Sequence, residues 1–415
     1  MTRINTIFFA ILLLFSLNLH VKAETRYAGG DISLLPLYEE AGAKYYDHDG
    51  KPIKDVISFL KDEGMNAMRV RMFVNPDNYT GADKDPNACQ TIENVIPLCQ
   101  RIKEAGMALM IDFHYSDTWA DPAQQYTPKD WGNLTDEELY DKIYSYTRKS
   151  LLTLKENGVV PDFIQPGNEI SYGMLWGPEG TAESDLKKTF IGNDANWDRL
   201  GNLLKNAIRA CREIAPDAKI VLHTERTADI TVQDNFYSNM ERMGIEYDII
   251  GLSYYPYFHG KINSLDKAIT SLESKFQDKR IMVVETGYSY KWEVPGTSCP
   301  VDYPYTEEGQ KVFADELVSL LLRHPSVNGL FWWWLEYNAF NTTLSGWYNA
   351  PLFDSTNGRA LDALKIISRF ATYDSRVMEM EYKHCNEEYL YDLSGKRIGA
   401  GAKGVVITSQ GKMLR

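Results

Sequence analysis

The sequence predicts a (β/α)8 barrel, an α/β fold with long loops at its C-terminal rim and a small C-terminal β extension. Three observations predict it. Short apolar or β-branched runs alternate with longer segments of helical periodicity between residues 27 and 334. Four long insertions follow strand ends rather than helix ends. The chain has 415 residues, which is enough for one barrel with insertions.

The predicted strands and helices alternate in order along the chain. The strands are 27–31, 67–73, 108–114, 163–169, 219–223, 248–255, 280–285 and 329–334. The helices include 53–63, 92–104, 136–156, 197–214, 264–276 and 307–322. Gly106 and Gly158 are predicted to end two of the helices, because glycine readily adopts the left-handed conformation of a helix C-cap.

The insertions and the C-terminus complete the predicted organisation. The insertions cover 115–135, 170–196, 286–306 and 335–357, and in a barrel they would meet at the C-terminal rim, where such folds keep their active sites. After residue 373 the alternation ends, and segments 387–392 and 404–408 with the turn 393–396 predict a β-hairpin. We therefore predict a barrel domain over 24–373 and an extension over 374–415, to which no chemistry is assigned.

The first 23 residues are typical of a secretory signal peptide. Arg3 is followed by an apolar run over 7–19 and then by Val21-Lys22-Ala23, which predicts cleavage after Ala23. The alternative, a membrane anchor, needs about 20 apolar residues, and this run is shorter. We expect an exported protein that is extracellular, at the cell surface or periplasmic, with no membrane span in the mature chain.

Composition excludes several partners. A net charge of −13 and a pI near 5.1 argue against nucleic acid and anionic membranes, since both require a basic face. The seven histidines form no paired metal motif, so a catalytic metal is not expected. No cofactor is required, and a structural calcium is left open but not indicated. The five cysteines leave at least one thiol free; a Cys89–Cys99 disulfide and free thiols are both open. The five are Cys89, Cys99, Cys211, Cys299 and Cys385.

Two carboxylates carry the predicted chemistry. Glu169 and Glu285 each follow an apolar run, at the ends of the fourth and seventh predicted strands. Aspartate and glutamate are rarely buried without partners, and at the C-terminal end of a barrel strand they point into a cleft. One such residue could be a structural ion-pair partner, but two form the pair that glycoside hydrolysis requires.

The neighbours of the two carboxylates suggest their roles. Asn168 precedes Glu169, and this pair can combine a contact to a sugar hydroxyl with an acid/base. Glu285 has no such amide neighbour and suits the nucleophile. A separation of about 5–5.5 Å would give retention of anomeric configuration, and about 6.5–9.5 Å would give inversion.

Several blocks resemble the family 53 glycoside hydrolases, the endo-β-1,4-galactanases. They are Met68-Arg69-Val70-Arg71-Met72-Phe73-Val74-Asn75-Pro76, residues 112–122, Gly167-Asn168-Glu169-Ile170, residues 173–176, Gly251-Leu252-Ser253-Tyr254-Tyr255-Pro256 and Glu285-Thr286-Gly287-Tyr288. They occur in the expected order and cover roughly residues 27–370. The resemblance implies a retaining mechanism and a β-1,4-galactan or arabinogalactan type I substrate. A monomer is the default expectation for an enzyme that acts on a polymer.

The resemblance also implies binding residues. Arg69 or Arg71 would support the nucleophile, and Arg69 is preferred because it lies deeper in the barrel. His114 would bind the sugar in the cleaved subsite. Tyr255, which shares a strand face with Ser253, would hydrogen-bond Glu285, and Tyr254 is the alternative.

Aromatic side chains near the rim are candidates for stacking against sugar rings. Trp119 and Trp176 lie in the insertions, and Trp333 shares the inward alternation of Phe331. Each could instead pack the loops or the barrel core.

The sequence departs from the family pattern at three places. Residues 224–227 read Thr-Glu-Arg-Thr where an acidic-amide-aromatic sequence is expected, which leaves the contacts from the fifth strand open. Residues 289–305 lack the acidic cluster that would indicate a structural calcium. Glu336 follows Leu335, where relatives place Glu-Pro.

Two other functions compete with a galactanase. One is another endo-glycosidase of the same clan, acting on mannan, xylan or β-glucan. The other is a non-catalytic polysaccharide-binding protein, which would be expected to have lost at least one of the two carboxylates.

Overall fold

A closed parallel barrel forms the body of the molecule. The computed structural model describes residues 25–181, 186–190, 195–338, 350–373, 390–391, 397–398, 405–408 and 411–414. Eight strands follow one another around the barrel in sequence order, and the first pairs with the eighth. The predicted (β/α)8 fold is confirmed, whereas the predicted signal peptide, 1–23, lies outside the described residues.

The strands agree with the sequence prediction to within three residues at each end. They are β1 (Tyr27–Asp31), β2 (Ala67–Met72), β3 (Ala108–Phe113), β4 (Phe163–Pro166), β5 (Lys219–Thr224), β6 (Ile249–Tyr254), β7 (Arg280–Thr286) and β8 (Val327–Trp332). The largest difference is at β4, which was predicted to reach Glu169. It ends at Pro166 because Gly167 (φ 101°) and Glu169 (φ 48°) leave the extended conformation.

Helices surround the barrel. They are α1 (Leu35–Glu40), α2 (Val56–Asp62), α3 (Ile92–Glu104), α4 (Asp136–Glu156), α5 (Ala195–Ile214), α6 (Ile230–Arg242), α7 (Pro256–His259), α8 (Ile262–Lys275), α9 (Glu307–Leu321) and α10 (Asp362–Thr372). The prediction lacked α1, α6, α7 and α10. The buried face of α6 includes Gln233 and Asp234, which interrupt its apolar periodicity. None of the helices in the described ranges is long and apolar enough to cross a membrane.

Local hydrogen bonds fix the ends of the helices. The Thr135 side chain accepts a bond from the backbone N–H of Glu138 at the start of α4, and the Glu138 carboxylate accepts one from the backbone N–H of Thr135. Gly106 and Gly158 follow α3 and α4 with φ angles of 71° and 79°, as predicted. These caps turn the chain back toward the next strand.

The core has two layers. A larger layer packs the helices against the outside of the barrel. A smaller layer fills the barrel interior with side chains from seven of its strands: Ala67, Met110, Phe163, Val221, Ile249, Met282, Val284 and Phe331. The barrel is therefore a packed core rather than a pore, and chemistry is confined to its rim.

The C-terminal strands form a separate sheet. Antiparallel β9 (Leu390–Tyr391), β10 (Arg397–Ile398), β11 (Val405–Thr408) and β12 (Gly411–Leu414) lie in the order β10-β9-β11-β12. The predicted turn at 393–396 lies outside the described residues, and β12 was not predicted. The division into domains at residue 373 stays a prediction.

The cysteines form no disulfide in the described part of the chain. Cys89, Cys99, Cys211 and Cys299 are free thiols, so the Cys89–Cys99 pairing that the sequence left open is not formed. Cys385 lies outside the described residues.

Shortening a side chain of the barrel interior should destabilise the fold. Met110 is completely buried there, so Met110→Ala should lower the free energy of unfolding by about 2–5 kcal/mol through lost burial and a residual cavity. Urea unfolding measures the change. Val312→Ala, at a side chain that is 38% exposed, is the control and should change it by less than about 0.5 kcal/mol. Equal effects would contradict a packed interior.

Candidate active site

A cleft of about 800 Å³ opens at the C-terminal ends of the barrel strands. The cleft is lined by the C-terminal end of β7 and by the segments that follow β2, β3, β4, β5, β6 and β8. The predicted site residues that line it are Trp119, Asn168, Glu169, Tyr255, Glu285 and Trp333. Five of the seven segments contribute these residues, and Trp119 and Trp333 are more than 200 residues apart in the sequence.

Glu169 is held by a strained turn. Its backbone is left-handed, with φ 48° and ψ 52°, a conformation that costs a non-glycine residue about 1–3 kcal/mol. Its backbone N–H donates to His223 Nδ1 at 3.3 Å, and its side chain is 9% exposed. Surrounding contacts therefore hold the carboxyl group at the cleft wall.

A chain of hydrogen bonds reaches Glu169 from β5 and β6. His223 Nδ1 lies 3.3 Å from the backbone nitrogen of Glu169 and 2.9 Å from Asn168 Oδ1, and its Nε2 lies 2.8 Å from Ser253 Oγ. The Ser253 hydroxyl donates to Glu169 Oε1 at 2.5 Å. Burial lowers the pKa of His223 well below its usual value, so the imidazole is neutral.

The surroundings of Glu169 favour its protonated form. Burial raises the pKa of this carboxyl well above its usual value, and the nearby carboxylates of Glu285 and Glu225 raise it further. The Ser253 hydroxyl opposes this shift only in part. A carboxyl group with a raised pKa is suited to donate a proton.

Glu285 has a cation as a neighbour. Arg69 Nη2 lies 3.0 Å from Glu285 Oε1, and the Tyr255 hydroxyl donates to Oε2 at 3.2 Å. Burial raises the pKa of Glu285 to about 7, while Arg69 opposes the shift. The two carboxyl groups titrate as a pair, and Arg69 makes Glu285 the one that ionises first.

Arg69 joins four strands beneath the cleft. The side chain is fully buried, and its Nη2 also donates to Asp112 and Asn168, each at 2.8 Å. Arg71, which spacing alone did not separate from Arg69, pairs instead with Asp31 at 2.6 Å. The structure therefore places Arg69, the preferred candidate, against Glu285.

Asn168 and His114 are both held by backbone groups. Asn168 Nδ2 donates to the carbonyl of Ala120 at 2.8 Å. His114 Nδ1 accepts the backbone N–H of Ala120 at 3.1 Å, and Nε2 lies 3.0 Å from Asp112. Asn168 lines the cleft, whereas His114 is buried and does not line it.

Tryptophans form an aromatic platform on one side of the cleft. Trp119, Trp333 and Trp334 line the cleft, and the Arg71 guanidinium lies 4.8, 5.2 and 5.3 Å from their ring centres. Cation–π contacts of this kind hold the rings in place. Trp176, by contrast, is buried, donates to the carbonyl of Tyr172 and does not line the cleft.

Sequence reasoning missed several residues of the site. His223, Ser253 and Asp112 lie within one hydrogen bond of a predicted residue. The inward alternation that selected Tyr255 also places Ser253 toward the cleft, which was the one usable signal. Glu225 was noted only as a departure from a family pattern, yet it lines the cleft.

Metal ligation has little support in the described ranges. They contain no group of three or more His, Cys, Asp or Glu residues placed to hold a metal ion.

The fold and the site define the class of protein. A (β/α)8 barrel with two carboxyl groups of unequal environment, at the ends of its fourth and seventh strands in an open cleft, is a glycoside hydrolase. The chain belongs to glycosyl hydrolase family 53, whose model matches residues 27–367.

Named relatives and solved structures agree with the family. The chain is 30% identical over 348 residues to the arabinogalactan endo-β-1,4-galactanase A of Aspergillus niger, covering 80% of this chain and 92% of that one. It is 32% identical to the Ignisphaera aggregans GH53 catalytic domain, with a TM-score of 0.71 and coverage of 83% and 95%. A fungal β-1,4-galactanase structure is 28% identical, with a TM-score of 0.69 and coverage of 83% and 100%.

Removing the Ser253 hydroxyl should change the pH dependence. The hydroxyl donates to the Glu169 carboxyl group and lowers its pKa, so Ser253→Ala should raise the pKa of Glu169 further. If Glu169 is the acid, the alkaline limb of kcat/KM should move to higher pH. Measuring kcat/KM against pH checks this, with Ser274→Ala at an exposed helix position as the control. An alkaline limb that stays in place would contradict the role of this contact.

Proposed function

We propose that the protein is a retaining endo-β-1,4-galactanase that cleaves galactan or type I arabinogalactan, with Glu169 as acid/base and Glu285 as nucleophile. One observation carries the assignment of roles. Glu285 has the Arg69 cation at 3.0 Å and the Tyr255 hydroxyl at 3.2 Å. Among the described residues, the Glu169 carboxyl group accepts a hydrogen bond only from the Ser253 hydroxyl, and the carboxylates of Glu285 and Glu225 raise its pKa. The surroundings of Glu285 thus stabilise a carboxylate anion, whereas those of Glu169 favour a protonated carboxyl group.

In the first step, an ionised oxygen of Glu285 attacks the anomeric carbon. The bond from that carbon to the leaving sugar oxygen breaks, and Glu169 gives its proton to that oxygen. Arg69 and Tyr255 hold the attacking carboxylate in position. The product is a glycosyl ester on Glu285 and a free leaving sugar.

In the second step, Glu169 is a carboxylate and accepts a proton from water. The water oxygen bonds to the anomeric carbon as the ester bond to Glu285 breaks. The proton on Glu169 and the charge on Glu285 are then restored. The His223–Ser253 chain keeps Glu169 Oε1 in place through both steps, and retention follows from two inversions.

The substrate is proposed from the relatives and the cleft. The Aspergillus niger relative is named an arabinogalactan endo-β-1,4-galactanase. The segment from His114 to Pro122, which resembles the family, holds Trp119 against Trp333 with ring centres 6.1 Å apart. An aromatic platform beside the two carboxylates suits the C–H face of a sugar ring. The presence of both carboxylates disfavours a non-catalytic binding protein.

The proposal includes export and a monomeric state. The pattern of residues 1–23 supports secretion, and a polymer substrate outside the cell requires it. The acidic net charge of −13 disfavours nucleic acid as a partner.

Removing each carboxylate should give different kinetics. Glu285→Ala should abolish turnover of galactan and of activated aryl galactosides, because no ester can form. Glu169→Ala should lower galactan turnover by about 10²–10⁴-fold. It should spare the first step on a substrate with a good leaving group, and azide should restore the second step.

Burst kinetics with and without azide distinguish the two variants. Glu104→Ala, at an exposed position on α3, is the control and should behave as the wild type. Equal loss on both substrate types without azide rescue of Glu169→Ala would refute the assigned roles.

A panel of polysaccharides tests the substrate. Reducing sugar should be released from β-1,4-galactan, and the anomeric configuration of the first product, followed by NMR, should be β. Release from mannan, xylan or β-glucan with none from galactan would assign the chain to another activity. Formation of the α anomer first would refute retention.

A further inference from the structure

A third carboxylate lines the cleft beside the catalytic pair. Glu225 directly follows β5, is 6% exposed and contributes to the cleft lining. It forms no bond to the substrate in either catalytic step described above, although its charge helps to raise the pKa of Glu169. The sequence left the contacts from this strand open.

One oxygen of Glu225 is fully occupied. Glu225 Oε1 accepts a hydrogen bond from the Ser171 hydroxyl and lies 2.9 Å from Arg226 Nε. Arg226 Nε also donates to Ser171 Oγ at 3.0 Å, and its guanidinium lies 4.1 Å from the ring centre of Tyr172. These contacts fix the orientation of the carboxylate.

The other oxygen has no such contact. Glu225 Oε2 is buried and has no hydrogen-bonding partner among the described residues of the protein. A buried polar atom without a hydrogen-bonding partner is destabilising. Because Glu225 lies in the wall of the cleft, a group of a bound ligand would supply the hydrogen bond that Oε2 lacks.

Glu225 lies on the Glu169 side of the cleft. Its carboxylate accepts a hydrogen bond from Ser171, two residues after Glu169. The ring centre of Trp333, by contrast, lies 5.6 Å from the guanidinium of Arg69, the partner of Glu285. Glu225 is therefore nearer to the proposed proton donor than to the proposed nucleophile. The sugar that receives the proton from Glu169 must lie on that side.

We propose that Glu225 Oε2 accepts a hydrogen bond from a hydroxyl group of the sugar unit that leaves in the first step. The ligand is thus the galactose unit on the reducing-end side of the cleaved bond. This inference rests on the proposed galactanase function. It makes Glu225 a specificity-determining residue for the leaving group.

Two substrates distinguish a contact between Glu225 and the leaving sugar from a general effect of Glu225 on catalysis. A galacto-oligosaccharide places a sugar on the leaving-group side, whereas an aryl β-galactobioside with a good leaving group does not. Glu225→Gln and Glu225→Ala should lower kcat/KM on the oligosaccharide by about 10–100-fold, as expected for a lost hydrogen bond to a charged group. The loss on the aryl substrate should be at least about tenfold smaller.

A second measurement uses the glycosyl-enzyme directly. Added galactobiose competes with water for the intermediate, and binding of this acceptor requires the leaving-group side. Both variants should lower the ratio of transfer to hydrolysis by a similar factor. Glu104→Gln, at an exposed site, is the matched control and should leave both ratios unchanged.

The outcomes are distinct. Equal losses on the two substrates, or an unchanged transfer ratio, would overturn the role of Glu225. Hydrolysis of the aryl substrate by the wild type without any release from galactan would overturn the proposed substrate instead. A large loss confined to the oligosaccharide, with a lower transfer ratio, would establish the subsite.

Discussion

The site depends on one buried cation. Arg69 is fully enclosed, and a guanidinium removed from water is tolerated only when anions and acceptors surround it. Asp31, Asp112, Glu285 and Asn168 supply them at 2.8 to 3.5 Å. Side chains from β1, β2, β3 and β7 and the end of β4 therefore have to converge beneath the cleft. The interaction that holds these strands together also positions the Glu285 carboxyl group.

The same cation gives two chemically identical side chains, Glu169 and Glu285, different electrostatic environments. Burial raises the pKa of both Glu169 and Glu285, so burial alone would leave two weak acids. Arg69 is in contact with only one of them, and the neutral His223 offers no compensating charge to the other. The difference between the two environments thus arises from the placement of one guanidinium.

Much of the barrel could be predicted, because apolar periodicity and glycine caps are local properties of the sequence. The two carboxylates could be found for a related reason, since a charged residue directly after an apolar strand has few structural explanations. Arg69 and Arg71 could not be separated by spacing, because both project from the same face of β2. Their difference lies in tertiary partners, Glu285 for one and Asp31 for the other. Ser253 meets Glu169 across 84 residues of sequence, so no local pattern encodes this contact. Trp176 instead donates to the carbonyl of Tyr172, only four residues earlier.

The left-handed residues at the rim have a consequence for thermal adaptation. Tyr115, Glu169 and Trp334 have φ angles of 49°, 48° and 54°, and each follows a barrel strand within three residues. Glycine would relax the backbone at any of these positions, but at Glu169 it would also remove the proposed acid/base carboxyl group. Substitutions that raise stability can therefore accumulate in the helices and in the loops at the opposite end of the barrel, while these rim residues keep their strained backbone. Relatives adapted to different temperatures should differ least at this edge of the barrel.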